Sequence, residues 1–189
     1  MIRTAVEVLR ERGADGLTVD EVLLRSGAPK GSVYHHFPGG RAELLDEALT
    51  FAGETMATLL ARAADEGPES VLQEFVDMWR RILTDSGYTA GCPVASVAVS
   101  ATEGSDLATK ARSYFTRWTA ALTTAFVGDG MADGTAQQLA TLSVATIEGA
   151  VILCRAHRSI VPLEEAMVQL HTLINCHRFA RDNFPAPRR

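Results

Sequence analysis

Cysteine is scarce in this chain, β-type alternation is nearly absent, and positive charge is not in excess. Each lack excludes something. Cys92, Cys154 and Cys176 are the only cysteines in 189 residues and lie far apart. An odd, scattered set is no disulfide framework and suits a reducing compartment. Runs of alternating Val, Ile or Thr bounded by turn residues hardly occur, which argues against a sheet. No apolar run approaches the ~18 residues that span a bilayer. The most apolar stretch, Val144 to Cys154, is interrupted by Glu148, so no membrane partner is expected. Arg3, Glu7, Arg10, Glu11 and Arg12 charge the first turns too densely for a secretory h-region. A cytoplasmic protein follows from these absences.

Catalytic patterns are also missing. There is no Gly-x-Ser-x-Gly elbow, no Gly-x-Gly-x-x-Gly turn and no phosphate-binding loop. Asp77, Glu103, Asp106 and Glu148 show no spacing that would pair them as an acid and a base. No enzyme activity and no cofactor are expected. The formal net charge is −5. Residues 1–46 are not basic either: Arg3, Arg10, Arg12, Arg25, Lys30 and Arg41 stand against Glu7, Glu11, Asp15, Asp20, Glu21, Glu43 and Asp46. Charge alone gives no reason to expect nucleic-acid binding; a motif must supply it.

What is present is a helical pattern. Hydrophobic residues make up 47% of the chain, enough for a sizeable core. Breakers recur at helix-length spacing: Gly13–Gly16, Gly27–Pro29, Pro38–Gly40, Gly67–Pro68, Gly87–Pro93, Gly104, Gly128–Gly134 and Pro162. Between them about nine helices are predicted, making an all-α fold. The first ends near Arg12, with Ile2, Ala5, Val6 and Leu9 as its stripe. The second opens at Thr18 with a capping box to Glu21. The third starts at Pro29 as a first-turn residue and ends near His36. A long fourth follows from about Arg41. Later helices cover Pro68 to about Leu83, Pro93 to Ala101, Ser105 to Phe126, Thr135 to His157 and Leu163 to Asn183. The eighth is apolar nearly all round and should be buried on more than one side. Residues 185–189 read as a frayed tail.

Residues 18–45 carry the function. Two short helices joined by a tight turn at Ser26-Gly27-Ala28 form a helix-turn-helix, whose second helix enters the major groove of DNA. Its outward side offers Lys30, Ser32, Tyr34 and His35, all hydrogen-bond donors, while Val33 and Phe37 point to the module core. Tyr34 reads equally well as a core aromatic; Phe37 reads better as one. His35 and His36 are adjacent, point apart on a helix, and do not make a metal site. Cys154 and His157 share a helix face, but an apolar helix there is better explained by packing than by a metal.

Gly16-Leu17-Thr18-Val19-Asp20-Glu21-Val22, Ser26-Gly27-Ala28-Pro29-Lys30-Gly31-Ser32-Val33-Tyr34-His35-His36-Phe37-Pro38-Gly39-Gly40-Arg41 and Glu43-Leu44-Leu45 together resemble the DNA-binding signature of the TetR family. The Pro-Gly-Gly-Arg variant and Gly91-Cys92-Pro93-Val94 look like its LmrA/YxaF-type branch. The signature covers about the first 50 residues; beyond it the likeness is to a nine-helix plan. The resemblance implies an N-terminal helix-turn-helix domain at residues 1–46 and a ligand-binding and dimerisation domain at 47–184. It implies that Thr18 touches a phosphate, that Lys30 reads a base, and that Gly31 allows close backbone approach. Ser32, Tyr34, His35 and His36 would hold phosphates, and Arg41 would clamp one at the start of the fourth helix. The chain departs from the family by beginning almost inside the first helix, so either the basic N-terminal arm is absent or residues before Met1 are missing from the sequence.

For the second domain the resemblance implies a cavity among helices five to seven and a homodimer through helices eight and nine. Two long C-terminal helices, one too apolar to face water, agree with an isologous interface. The residues proposed to line the cavity are Phe75, Met78, Trp79, Ile82, Cys92, Val97, Phe115, Trp118, Leu122 and Ile147, with Glu148. Their polarity suits a small hydrophobic or aromatic effector, and any of them could equally be plain core. Glu148 lies inside an apolar helix and needs a partner, either a ligand group or an arginine such as Arg155 or Arg117. His171 and His177 fall at a dimer seam or its rim. The functional expectation is a repressor that releases a palindromic operator when its effector binds. The alternatives are an all-α small-molecule-binding protein or an adaptor with vestigial DNA binding.

Overall fold

The computed structural model describes residues 1–183, the side chain of Lys30 excepted; the expected tail at 185–189 lies outside them. Among the described residues there are nine α-helices and no strand: α1 (Ile2–Gly16), α2 (Val19–Ser26), α3 (Lys30–His36), α4 (Gly40–Ala64), α5 (Pro68–Asp85), α6 (Pro93–Ser100), α7 (Asp106–Gly128), α8 (Asp133–His157) and α9 (Val161–Asn183). They form two compact units. The first contains Met1–Met56 and Thr89–Phe115, the second Ala57–Tyr88 and the chain from Thr116 onward. The helices α4 and α7 each contribute to both.

In the first unit α1 packs on α2 and also on α6. It buries Ala5, Val6, Val8 and Leu9, a wider face than a single stripe. Gly13 interrupts it with φ 74° and ψ −178°, a conformation essentially confined to glycine. A regular helix would pair the Arg10 carbonyl with the Ala14 amide. Here both groups turn to the α6 segment. The Gly91 amide donates to the Arg10 carbonyl at 2.8 Å, and the Ala14 amide donates to Ser96 Oγ at 3.0 Å. The Gly91-Cys92-Pro93 sequence thus has a structural task. Gly91 reaches α1, Cys92 caps α6 by accepting the Ala95 amide on Sγ at 3.4 Å, and Pro93 occupies the first turn, where it needs no amide partner.

The start of α7 is fastened to α4 within the same unit. Lys110 Nζ donates to Asp46 Oδ1 at 2.5 Å and to Thr50 Oγ1 at 2.9 Å. The Tyr114 ring lies flush on Gly53, where an added Cβ would sit 2.4 Å from it.

The second unit is built on α8 and α9, with α5 packed on both. By length and mean hydropathy alone α8 passes for a membrane-crossing helix, although Glu148 interrupts its apolar run. Its burial is that of a core helix: Leu139, Ala140, Val144, Ile147, Ala150, Val151 and Cys154 are buried. Among the described residues the one buried polar residue, Ser143, donates to the Leu139 carbonyl at 2.8 Å. Arg178 of α9 ties the unit's ends together. Its guanidinium holds Asp129, after α7, through Nε (2.7 Å) and Nη2 (2.8 Å), and also grips Glu69 in the first turn of α5.

The Gly53→Ala protein should lose about 1–3 kcal/mol of stability from overpacking against Tyr114, read as a lower urea midpoint. Gly134→Ala, where the added atom meets open space, should leave the midpoint unchanged or raise it. Arg178 holds both Glu69 and Asp129 below the usual carboxylate range by hydrogen bonding. Their folded values are depressed, so the stability they contribute is present above the unfolded carboxylate range of about 4 and is lost as pH falls through the folded values. Arg178→Gln should flatten the fall in urea midpoint below about pH 4.

Candidate nucleic-acid interface

The α2–turn–α3 segment is shaped by local chemistry. Thr18 sits at the N-cap of α2 in an extended conformation, and its Oγ1 accepts the Glu21 amide at 3.2 Å. The other half of the expected capping box is replaced. The Glu21 carboxylate accepts from Arg25 Nε at 2.6 Å and pairs with Arg12 Nη2 at 3.1 Å. Gly27 ends α2 in the left-handed region at φ 67°, with its amide returning to the Leu23 carbonyl, the αL cap that favours glycine. Pro29 is the N-cap residue of α3 (φ −61°, ψ 144°) rather than its first helical residue; its carbonyl accepts the Ser32 amide.

Val33 and Phe37, four residues apart, anchor α3: the first is fully buried and the second is 8% exposed. This settles Phe37 as core. Tyr34 is 63% exposed and is a surface residue. Gly31 and His35 share its exposure, and a Cβ at Gly31 would meet nothing within 4 Å. The outer face of α3 is therefore Gly31, Tyr34 and His35, with His36 also exposed at its end. Lys30 begins the helix, with its side chain outside the described set. Thr18 is exposed at the start of α2.

Three candidate residues have other local engagements. Ser32 is half-buried and its hydroxyl donates to Met1 Sδ at 3.7 Å. His36 lines an open cleft of about 430 Å³ with Met1, Ile2, Phe37, Glu43 and Glu47. Arg41 donates from Nε to the Leu17 carbonyl at 2.7 Å and from Nη2 to the Ala14 carbonyl at 2.6 Å, closing the carbonyl end of α1 and the turn into α2.

The cationic inventory is smaller than the sequence count suggests. Arg25 bonds Glu21 and, through Nη1, Glu11 at 2.7 Å, which raises its pKa further. Arg10 is half-buried, and desolvation lowers its pKa. Arg3, exposed on the first turn of α1, is a surface cation that the motif reading passed over. Its only signal in the sequence is a basic residue one turn from the chain start.

The effector candidates divide between the units. Phe75, Trp79, Trp118, Leu122 and Ile147 are fully buried in the second, with Met78, Ile82 and Glu148 half-buried there. Cys92 and Val97 are buried in the first, and Phe115 is half-buried. Phe75 of α5 meets Trp118 of α7 edge to face, with centroids 6.1 Å apart and planes at 70°. Among the described residues no group of three His, Cys, Asp or Glu is arranged to hold a metal. Cys154 is buried with its thiol toward the Ile160 carbonyl at 3.7 Å, and burial pushes its pKa up. On the outer faces of α8 and α9, Leu142, Ile152, Leu153, Val161, Val168, Leu173 and Phe179 are exposed.

The Arg41→Ala protein should unfold at a lower temperature than wild type, since two carbonyls at the α1–α2 turn lose a charged donor. Tyr34→Ala should leave the midpoint within about 0.5 kcal/mol of wild type, as surface substitutions do. Thermal denaturation followed by circular dichroism measures both.

Comparison with known proteins places the chain in a described group. Residues 1–48 match the family model for bacterial regulatory proteins of the tetR family. Residues 68–169 match the model for the C-terminal domain of LmrA/YxaF-like transcriptional regulators. An HTH-type transcriptional regulator of Mycobacterium tuberculosis is 38% identical over 180 residues, covering 92% of each chain. YxaF of Bacillus subtilis is 29% identical over 177 residues, covering 92% of this chain and 93% of that one. Among solved structures, a TetR regulator of Legionella pneumophila superposes with TM-score 0.80 at 16% identity, covering 91% of this chain and 94% of that one. A TetR regulatory protein of Rhodobacter sphaeroides gives 0.79 at 24% identity, covering 89% and 94%. At these identities the two structures speak for the fold.

Proposed function

The chain belongs to the TetR family of bacterial regulatory proteins, with a second domain of the LmrA/YxaF-like kind, and we propose that it is a cytoplasmic homodimeric repressor that releases a palindromic operator when a small hydrophobic or aromatic effector binds. The observation that carries this reading is α3: a helix pinned by Val33 and Phe37 that turns Gly31, Tyr34 and His35 outward. A helix held from one side and bare on the other is what major-groove insertion requires.

The functional division is a reading head at residues 1–46 and an effector and dimerisation domain at 47–184. In the head, Lys30 donates to guanine O6 or N7 from the first turn of α3, and Gly31 lets the backbone approach. Tyr34 and His35 donate to phosphates flanking the groove, and Ser32 supports them from the edge. Thr18, at the N-terminus of α2, meets a phosphate with its hydroxyl and the helix dipole. Arg41 spends two of its five N–H groups on carbonyls; the remainder serve a phosphate. His36 is left out of this contact set, because a cleft shared with Glu43 and Glu47 repels a phosphate.

The exposed apolar residues of α8 and α9 support a homodimer through these helices, since a strip of that kind marks an interface. Two heads then meet half-sites one helical turn, or a multiple of it, apart. The effector lowers operator affinity by its differential affinity for the head spacings of the free and DNA-bound states. A transcription regulator of this kind needs no catalytic group. The relatives LmrA and YxaF are named as regulators of the same type.

Selection of genomic duplexes by the purified protein, followed by salt titration on the recovered site, tests the reading. A pseudo-palindrome should emerge, with log K falling against log salt at a slope of about −0.9 per phosphate neutralised. Lys30→Ala should flatten the preference at one base pair per half-site by about 1–3 kcal/mol. No enriched duplex at low salt would overturn the proposal.

A further inference from the structure

The first unit has few cations, and most of them are engaged. Arg12 pairs with Glu21, and Arg25 with Glu21 and Glu11. Arg41 donates to two carbonyls. Lys110 is held by Asp46 and Thr50, and Arg112 is engaged as well. Arg10 is half-buried. Arg3 differs from all of these. It is exposed on the first turn of α1, and among the described residues its side chain takes part in no ion pair and no hydrogen bond.

The place of Arg3 in the head gives that freedom a direction. The start of α1 lies along one flank of α3. Ser32 donates to Met1 Sδ at 3.7 Å, and Met1 and Ile2 share a cleft with His36 and Phe37. Ser32 and His36 are one turn apart on α3, so α1 borders this flank over a full turn. The outer face of Gly31, Tyr34 and His35 adjoins it. When that face enters a major groove, the flanks of the helix meet the sugar–phosphate walls. Arg3 therefore begins beside a groove wall. Ile2 lines the cleft with Glu43 and Glu47, but Arg3, about 100° further round the helix, does not line it. No acidic residue stands in the first turn of α1 to oppose a phosphate there.

We infer that Arg3 is a further DNA contact, donating to a backbone phosphate at the edge of the groove that α3 enters. The inference rests on the reading of α3 as the recognition helix. It goes beyond that reading, because the contacts proposed there come from α2, α3 and the start of α4, and none from α1. A planar guanidinium matches a phosphate and can hold it through two parallel N–H bonds. The contact carries no base information. It neutralises one phosphate per head. In a head whose other exposed arginines are occupied by carboxylates and carbonyls, that is a large share of the coulombic attraction to DNA.

Salt dependence of binding by the full chain tests the inference. The probes are a random-sequence duplex and the duplex recovered by genomic selection, each of about 30 base pairs, long enough for two half-sites a helical turn apart. Fluorescence anisotropy gives K between about 50 and 200 mM salt. Arg3→Gln should make the slope of log K against log salt shallower by about 0.9 per head, equally on both duplexes. Base preference and melting midpoint should stay at wild-type values. Arg3→Lys should restore most of the slope, since a point charge also neutralises a phosphate. Arg62→Gln removes an exposed cation from the last turn of α4, in the second unit. It changes the net charge equally and should leave the slope alone. Ethylation interference supplies a second readout: one interfering phosphate per half-site should disappear in Arg3→Gln. A slope unchanged by Arg3→Gln, or lowered equally by Arg62→Gln, would overturn the Arg3 contact and leave α3 standing as a reading helix. Binding of neither duplex by wild type at about 50 mM salt would overturn the DNA-reading proposal and the Arg3 contact with it.

Discussion

The reading head depends on a break in its first helix. With Gly13 at φ 74°, the Arg10 carbonyl and the Ala14 amide are no longer served by each other, and each would be an expensive orphan in a packed interior. Both are taken up by residues some eighty positions later, through Gly91 and the Ser96 hydroxyl. A Cβ at position 13 would also meet Ser96 Oγ at 2.9 Å. The break, the close approach and the two hydrogen bonds require one another. Everything downstream in the head is referred to this joint. Arg41 closes the Ala14 and Leu17 carbonyls just past it, and that fixes the entry into α2, whose left-handed cap at Gly27 then aims α3.

The joint also gives the Gly91-Cys92-Pro93 segment a physical account. A buried glycine amide, a cysteine cap and a first-turn proline start α6 abruptly and at close quarters to α1. Displacement of α6 would break both hydrogen bonds to α1.

An acidic DNA-binding protein places strong demands on few groups. Arg12 and Arg25 are consumed by Glu21 and Glu11; Arg10 is half-buried. On the proposed contact set, phosphate recognition falls to helix ends, hydroxyls and aromatic donors, whose contribution is geometric more than coulombic. Internal ion pairs of this kind hold the shape of the head, while Arg3 stays exposed on the first turn of α1.

The helix inventory, the capped start of α2, the glycine turn and the anchoring of α3 by Val33 and Phe37 were all legible in the sequence, because periodicity, caps and breakers act within a few residues of each other. The likeness of residues 18–45 to a known signature identified the kind of head. Other features needed the folded chain. Whether Tyr34 is core or surface is decided by what packs on the far side of α3. Arg41 and His36 have the residue types of phosphate ligands, yet carbonyls from α1 and carboxylates from α4 are their neighbours. The apolarity of α8 is compatible with a membrane or a core until α5 and α9 are seen to cover it. Sequence determined the elements because their causes are local. Tertiary structure decided which side chains were free to act, because burial and hydrogen bonding are settled between residues far apart in the chain.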